Sequence, residues 1–480
     1  MTVKFGTDGW RAVISEEFTF ANLRLVAQAI ADFVREENAT DPSVVIGFDT
    51  RFLSDRYAAE VARVMAANDI RALLARADTP TPAISYAVVN RKATAGVMIT
   101  ASHNPPRYNG VKLKAAYGGS ASPEQHRRVE RFLAENEANG RAPQLMDYDE
   151  ALRTERVVKF DPAWAYYEHL GTLVDLDIIH AGELRVVHDA MYGAGRRTIS
   201  EMLMRTRTDV QNLRDEMNPG FGGIHPEPIA RHLSLLASVM QNGNRHAGLA
   251  TDGDADRIGA MDARGQFVDP HRIFGLILRH LLSKRNWRGR VVRTVSTTRM
   301  IDRIAAEFGL PVVETPVGFN HIADLMIDDN VVMGGEESGG MSIHGHIPEG
   351  DGVLMGLLLL EVMAEARKPL HELVDELLAA YGPAQYARTD LKLARPVVKA
   401  ELARKLVETA PDAISHVAVE EVRTSDGIKY YLADGSWLLI RPSGTEPVLR
   451  VYAEAPSDER VRALLDFGEA IAAAEKNGTQ

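Results

Sequence analysis

Over most of its length the sequence alternates two hydrophobic periods, and that alternation limits the chain to layered α/β folds. Phe20 to Glu36 sets Leu23, Val26, Ile30 and Phe33 on one helical face, and Val44 to Phe48 follows as a short buried strand. A second helix is expected after Ser54, a residue suited to the N-cap, with Tyr57, Val61 and Val64 at core spacing. Ala95 to Ile99, Leu184 to His188, Ala247 to Ala250, Val291 to Val295 and Val331 to Met333 read as further strands. Helices are expected at Glu227 to Met240, Pro270 to Ser283 and Thr298 to Phe308. Strands separated by helices predict mostly parallel sheets covered on both faces. A chain of 480 residues exceeds what one core supports, so three consecutive α/β units are expected. The last hundred residues differ: Lys429 to Leu432 and Trp437 to Ile440 flank Asp434-Gly435, a hairpin signal, and a smaller C-terminal α+β domain is expected there. The domain limits are set at 1–150, 151–257, 258–372 and 373–480.

Several classes of protein are excluded. With no cysteine there are neither disulfides nor thiolate metal sites. The apolar run Val353 to Leu360 is far shorter than the roughly 20 residues of a membrane span and reads as a buried helix. Met1 to Trp10 carries Lys4 and Asp8 and shows no secretory pattern, so a cytoplasmic location is expected. A net charge of −11 argues against nucleic-acid binding. The same charge requires that any phosphate be met by a local cluster of Arg, Lys and backbone N–H groups.

Ligands of open parallel sheets gather beyond the carboxyl ends of the strands, and four such loops carry chemistry. The first runs Thr100-Ala101-Ser102-His103-Asn104-Pro105-Pro106, with Asn109-Gly110-Val111-Lys112 close behind. Two prolines stiffen it around a serine that needs a base or metal to react, and His103 and Lys112 are the local proton carriers. The second, Thr251-Asp252-Gly253-Asp254-Ala255-Asp256-Arg257, converges three carboxylates on one point, a site for a hard cation. An EF-hand wants Gly and Glu where Arg257 and Ala263 stand, so Mg²⁺ shared with a phosphate fits better. The third, Gly334-Gly335-Glu336-Glu337-Ser338-Gly339-Gly340, offers carboxylates and a hydroxyl suited to sugar hydroxyls. The fourth, Arg441-Pro442-Ser443-Gly444-Thr445-Glu446-Pro447 with Arg450 beyond, has the make-up of a phosphate cradle but lacks the lysine and spacing of a P-loop. Each loop alone is also compatible with an ordinary solvated turn.

Taken in order, the four loops resemble those of the α-D-phosphohexomutase superfamily, which includes phosphoglucomutases and phosphomannomutases. Phe5-Gly6-Thr7-Asp8-Gly9-Trp10-Arg11 is similar to that family's amino-terminal signature, and Asp189 to Gly195, Pro219 to Pro228 and Pro316-Val317-Gly318-Phe319 add to the likeness. The resemblance implies that Ser102 carries the phosphoryl group, with Asp252, Asp254 and Asp256 holding one Mg²⁺ against it and Arg257 and Arg11 supplying positive charge. It implies proton transfer by His103 and Lys112, and contacts from Glu336 and Ser338 to the sugar. Arg441, Ser443, Gly444, Thr445 and Arg450 would hold the phosphate that does not react. Four domains around a central cleft, a hexose 1,6-bisphosphate as intermediate and activator, a sugar phosphate as small-molecule partner and a monomer or homodimer are implied with it. Relatives place Lys after the Pro-Val-Gly-Phe loop, whereas this chain has Asn320 and His321; His321 or His344 is the candidate replacement cation.

Glu336-Glu337-Ser338-Gly339-Gly340 resembles the sugar loop of the family's glucose-type members more than that of the glucosamine type, which implies glucose 1-phosphate and glucose 6-phosphate as the expected pair. The alternatives are mannose phosphates or dual use, then glucosamine phosphates, then a phosphoserine phosphatase. The phosphatase is disfavoured because hydrolysis needs no second phosphate cradle. A non-catalytic sugar-phosphate sensor is disfavoured by the intact Ser102, Lys112 and three aspartates.

Overall fold

A computed structural model of the chain describes residues 3–6, 9–37, 39–328, 330–393, 399–442 and 448–477. The first sheet contains β1 (Trp10–Val13), β2 (Ser43–Phe48), β3 (Arg71–Ala75), β4 (Ala95–Ile99), β5 (Tyr108–Ala115) and β6 (Val157–Phe160) in the order β1-β5-β4-β2-β3-β6. β2 pairs in parallel with β3 and β4, and β6 extends the parallel set beyond β3. Helix α1 (Phe20–Glu36) starts where Thr19 accepts the amide of Asn22 and buries Leu23, Val26, Ile30 and Phe33, as the periodicity predicts. Each such side chain contributes about 1.5–3 kcal/mol. Helix α2 (Ser54–Ala67) differs at its start. Leu53, at φ 62°, takes the N-cap, and Ser54 lies inside the helix with its hydroxyl 3.0 Å from Asp49 Oδ1.

The second sheet contains β7 (Arg185–Asp189), β8 (Asp209–Leu213), β9 (Ala247–Thr251), β10 (Ile258–Asp262) and β11 (Phe267–Val268) in the order β11-β10-β9-β7-β8. The helix expected from Glu227 begins only at Ser234 and runs to Asn242. Pro226 and Pro228 hold the chain extended as far as Ile229, and Ala230–His232 make only a 3-10 turn. The carbonyl of Pro226 accepts the amide of Gly253 at 3.1 Å instead. Further on, β12 (Arg290–Thr294) and β13 (Val312–Thr315) pair in parallel, and β14 (Val331–Gly335) and β15 (Met341–Ile343) pair antiparallel. The run Val353 to Leu360 lies within a helix, Gly352–Ala366, buried along most of its length. The C-terminal sheet is antiparallel: β16 (Gln385–Lys392), β17 (Ala413–Ile414), β18 (Val417–Arg423), β19 (Ile428–Leu432), β20 (Trp437–Pro442) and β21 (Val448–Ala455) follow the order β16-β21-β20-β19-β18-β17. β19 and β20 form the expected hairpin, with Gly435 at φ 80° in its turn.

The sheets are mixed rather than mostly parallel, for one local reason. After β4, β9 and β14 the chain returns at once as the antiparallel strands β5, β10 and β15. The loops of interest therefore close hairpins and do not lead into helices. The chain divides into two compact units, one of residues 1–289 and 318–374, the other of residues 290–317 and 375–480. Among the described residues no helix is long and apolar enough to cross a membrane.

Candidate active site

Ser102 sits on the β4–β5 hairpin loop with left-handed backbone, φ 50°, and is 1% exposed. Such a conformation disfavours a side chain and persists only when its surroundings enforce it. Here Thr100 Oγ1 accepts the Ser102 amide at 2.8 Å, and the guanidinium of Arg51 gathers the loop's carbonyls. Its NH2 group donates to the oxygens of Ser102 and Asn104 at 2.5 and 2.6 Å, and NH1 donates to those of Pro105 and Tyr108 at 2.9 and 3.0 Å. The fifth donor, Nε, meets Asp49 Oδ2 at 3.1 Å, which saturates the fork. Burial raises the pKa of Asp49 to about 6 against the opposing charge of Arg51, while Thr100 and Ser54 hydroxyls also donate to its carboxylate.

The Ser102 hydroxyl donates to Asp252 Oδ2 at 2.8 Å and lies 3.4 Å from His103 Nδ1. Asp252, Asp254 and Asp256 are all buried and offer oxygens within 4.8 Å of one another. Lys112, itself buried, reaches Asp254 and Asp256 at 2.9 and 2.7 Å, and Thr81 donates to Asp254 at 2.5 Å. Burial followed by the charges of Asp256 and Asp254 pushes the Asp252 pKa well up. Burial opposes the charge of Arg257, yet Asp256 and Asp252 more than compensate and raise its pKa. His103 is shifted the other way: burial, then Arg257 and Arg11, hold its pKa well below the usual range, which keeps the imidazole neutral. Arg11, on β1, donates to Asn104 Oδ1 of the same loop at 2.7 Å.

Two cations, Lys112 and Arg257, face three carboxylates, so the turn has room for further positive charge. Asp256 Oδ1 is buried with no hydrogen-bond donor. All-oxygen donors with such an orphan fit a hard divalent cation. The packing of the turn is close: a Cβ on Gly253 would stand 2.4 Å from the Ser102 carbonyl oxygen.

The third loop is joined to the second through backbone. Arg257 and Gly340 form a bridge, and the Ile258 amide donates to Gly339 O at 3.3 Å. Glu336 Oε1 accepts the Gly318 amide at 2.8 Å and Oε2 lies 3.4 Å from the Ser338 hydroxyl. Burial lifts the Glu336 pKa to about 7, opposed by Arg257. Asn320 is buried with its Oδ1 unpaired, and His344 meets Trp287 edge-on. The fourth loop belongs to the other unit. Arg441 on β20 stands opposite Arg450 on β21, and its Nε donates to Asp426 at 2.8 Å. Ser443, Gly444 and Thr445 lie outside the described residues, as do Thr7 and Asp8 of the amino-terminal signature.

Thus Ser102, His103, Lys112, Arg11, Arg257 and the three aspartates come together, with Glu336 and Ser338 alongside. Asp49, Arg51 and Thr81 complete the site and were missed, and Thr100, named with the loop, was given no role. Asp49-Thr50-Arg51 follows β2 at the same sheet edge, so applying the carboxyl-end rule to every strand would have found it.

Models of one family match the chain in four consecutive parts. They are described as phosphoglucomutase/phosphomannomutase α/β/α domain I over residues 2–140, domain II over 164–265, domain III over 269–381 and the C-terminal domain over 394–468. A phosphoglucomutase/phosphomannomutase of Thermococcus kodakarensis is 30% identical over 465 residues, 97% of each chain. A phosphoglucosamine mutase of Heliobacterium modesticaldum is 31% identical, covering 96% of this chain and 97% of its own. A crystal structure from Thermus thermophilus, assigned as a phosphomannomutase, superposes with a TM-score of 0.85 at 33% identity, covering 98% of this chain and 99% of that one.

Proposed function

Because the chain belongs to the phosphoglucomutase/phosphomannomutase family of the α-D-phosphohexomutase superfamily and is a hexose-phosphate mutase, we propose that it interconverts glucose 1-phosphate and glucose 6-phosphate through phosphorylated Ser102. The observation that carries this reading is the Ser102 hydroxyl held 2.8 Å from Asp252 inside a buried three-aspartate turn.

In this reading the phosphoryl group leaves Ser102 for the free hydroxyl of a sugar monophosphate. The Ser102 P–O bond breaks, a P–O bond to the sugar forms, the sugar hydroxyl proton passes to a base, for which His103, 3.4 Å from the seryl oxygen, is the candidate, and the released seryl oxygen takes up a proton. The resulting hexose 1,6-bisphosphate returns its other phosphate to Ser102. Lys112, Arg257 and Arg11 place cationic charge near the transferring oxygens. Asp252, Asp254, Asp256 and the seryl oxygen would hold Mg²⁺, which when bound offsets charge on the phosphoryl group. Glu336 and Ser338 are assigned to sugar hydroxyls. The facing pair Arg441 and Arg450, with Ser443, Gly444 and Thr445, is assigned to the idle phosphate.

Relatives named for glucose, mannose and glucosamine phosphates make the sugar the open choice. The likeness of the Glu336-Glu337-Ser338 loop to that of glucose-type members supports glucose. Initial rates on the three 1-phosphates test this, and a preference for glucosamine 1-phosphate overturns it. Ser102→Ala should lose both turnover and the phosphate-sized mass addition on the intact chain; turnover without that serine would refute the mechanism.

A further inference from the structure

On the side of β2 away from the Ser102 loop lies a second hollow, of about 720 Å³, between the carboxyl ends of β2 and β3 and the first turns of α1 and α2. Its floor is Phe48, Leu74 and Ala75, and the half-buried rings of Phe20 and Tyr148 line it. Five cations surround these apolar groups, against two carboxylates. One of those carboxylates, Glu60, is already neutralised: it receives Arg24 Nε and Arg63 NH1, each at 2.6 Å, and so holds two of the lining arginines in place. Arg63 is fixed further by donating to Met146 O at 2.9 Å. Lys159 lies 5.8 Å from the centre of the Tyr148 ring. Arg56 and Arg76 line the hollow with side chains that make no hydrogen bond or ion pair among the described residues.

A chain of net charge −11 has no general reason to collect guanidinium groups around one cavity. Arginine is suited to phosphate oxygens through its planar fork, and aromatic walls are suited to a flat ring. The volume suits a whole small molecule better than a lone phosphate. Sugar recognition would need more hydrogen-bond acceptors than Asp55 and the occupied Glu60 supply. We propose that this hollow binds a nucleoside phosphate, with its phosphates on Arg56 and Arg76 and its base between the Phe20 and Tyr148 rings. Sheet order separates it from the catalytic loop: the hollow lies toward β3 and β6, whereas Ser102 follows β4.

The test is calorimetric titration of the full chain with ATP, with glucose 1-phosphate present in excess to occupy the sugar-phosphate site. Saturable binding at one site is expected, with Kd at or below about 1 mM. Inorganic triphosphate should bind about tenfold more weakly, since it lacks the base that stacks. R56E/R76E should abolish binding while leaving melting temperature and mutase turnover unchanged. The single variant Arg76→Ala, at an exposed position, should weaken binding measurably even if the double variant is unstable. ATP affinity unaltered in these variants, triphosphate binding as tightly as ATP, or no saturation would overturn the proposal. Because binding is read directly, none of these results depends on which sugar phosphate the enzyme turns over.

Discussion

Arg51 commits every N–H of its guanidinium, four to carbonyls of the Ser102 loop and one to Asp49. Lysine keeps the charge but offers three donors without the planar fork. Arg51→Lys therefore leaves buried carbonyls unpaired, at about 1–3 kcal/mol each. Ser102 is then released from its left-handed conformation. A fall in kcat of about 100-fold with KM little changed is expected from steady-state kinetics, because a misplaced nucleophile affects the reaction more than sugar binding. An equal loss of kcat and of folded protein would mean a merely structural role. The carboxyl-end rule would place Arg51 at the site, but the sequence does not say what it does there. A lone arginine after a strand reads equally as a ligand contact or a loop brace, and only the five distances decide. The three aspartates were legible because alternate carboxylates on a tight turn have few other uses.

Among the elements, each catalytic loop of the first unit closes an antiparallel pair, and ladder hydrogen bonds therefore fix both of its ends. Gly253→Ala tests how tightly. Its Cβ would meet backbone, the Ser102 carbonyl oxygen, at 2.4 Å, and backbone yields less readily than a side-chain tip. Turnover should drop about 100-fold while circular dichroism stays that of the folded chain. The strands before these loops were legible from runs of Val, Ile and Ala. The returning strands were not: Tyr108 to Ala115 buries Lys112 and Lys114, and these charged residues mask the periodicity. A second element-scale prediction concerns Lys429 on β19. It is buried between the rings of Trp437 and Tyr431, donates to Val295 O at 2.6 Å and lies 3.3 Å from Glu314 on β13. Burial, then the charge of Arg293, lowers its pKa from 10.5 to about 7. The cost of the charged amine is fully present below pH 7. Between about 7 and 10.5 the unfolded chain holds a proton that the folded chain has shed, so stability rises with pH across that window. Melting from pH 7 to 9 should show this rise, at most about 1.4 kcal/mol per pH unit, and Lys429→Met should lack it. Glu314 remains paired to Arg293 in that variant. An identical rise in the variant would assign it to other groups.

For the whole molecule, two compact units imply unfolding in more than one step. A cation bound to the aspartate turn stabilises only the folded unit that contains it, by about 2.7 kcal/mol at a hundred times its Kd. Scanning calorimetry with Mg²⁺ and with EDTA should therefore move one transition and leave the other, and activity should disappear with chelation and return with Mg²⁺. Equal movement of both transitions would argue against a site confined to that turn. At this scale the four-part α/β architecture was readable from the alternation of periods, but the grouping of strands into units was not, because it rests on contacts distant in sequence. Residues 290–317 belong with the carboxy-terminal unit although 318–374 return to the first. On the ribosome this order imposes a delay: Glu314 emerges more than a hundred residues before Lys429, on the order of ten seconds at ordinary elongation rates. For that interval Glu314 has its partner Arg293, but Val295 beside it lacks the cover of Tyr431, Trp437 and Leu439, which makes this stretch a place for a chaperone to bind.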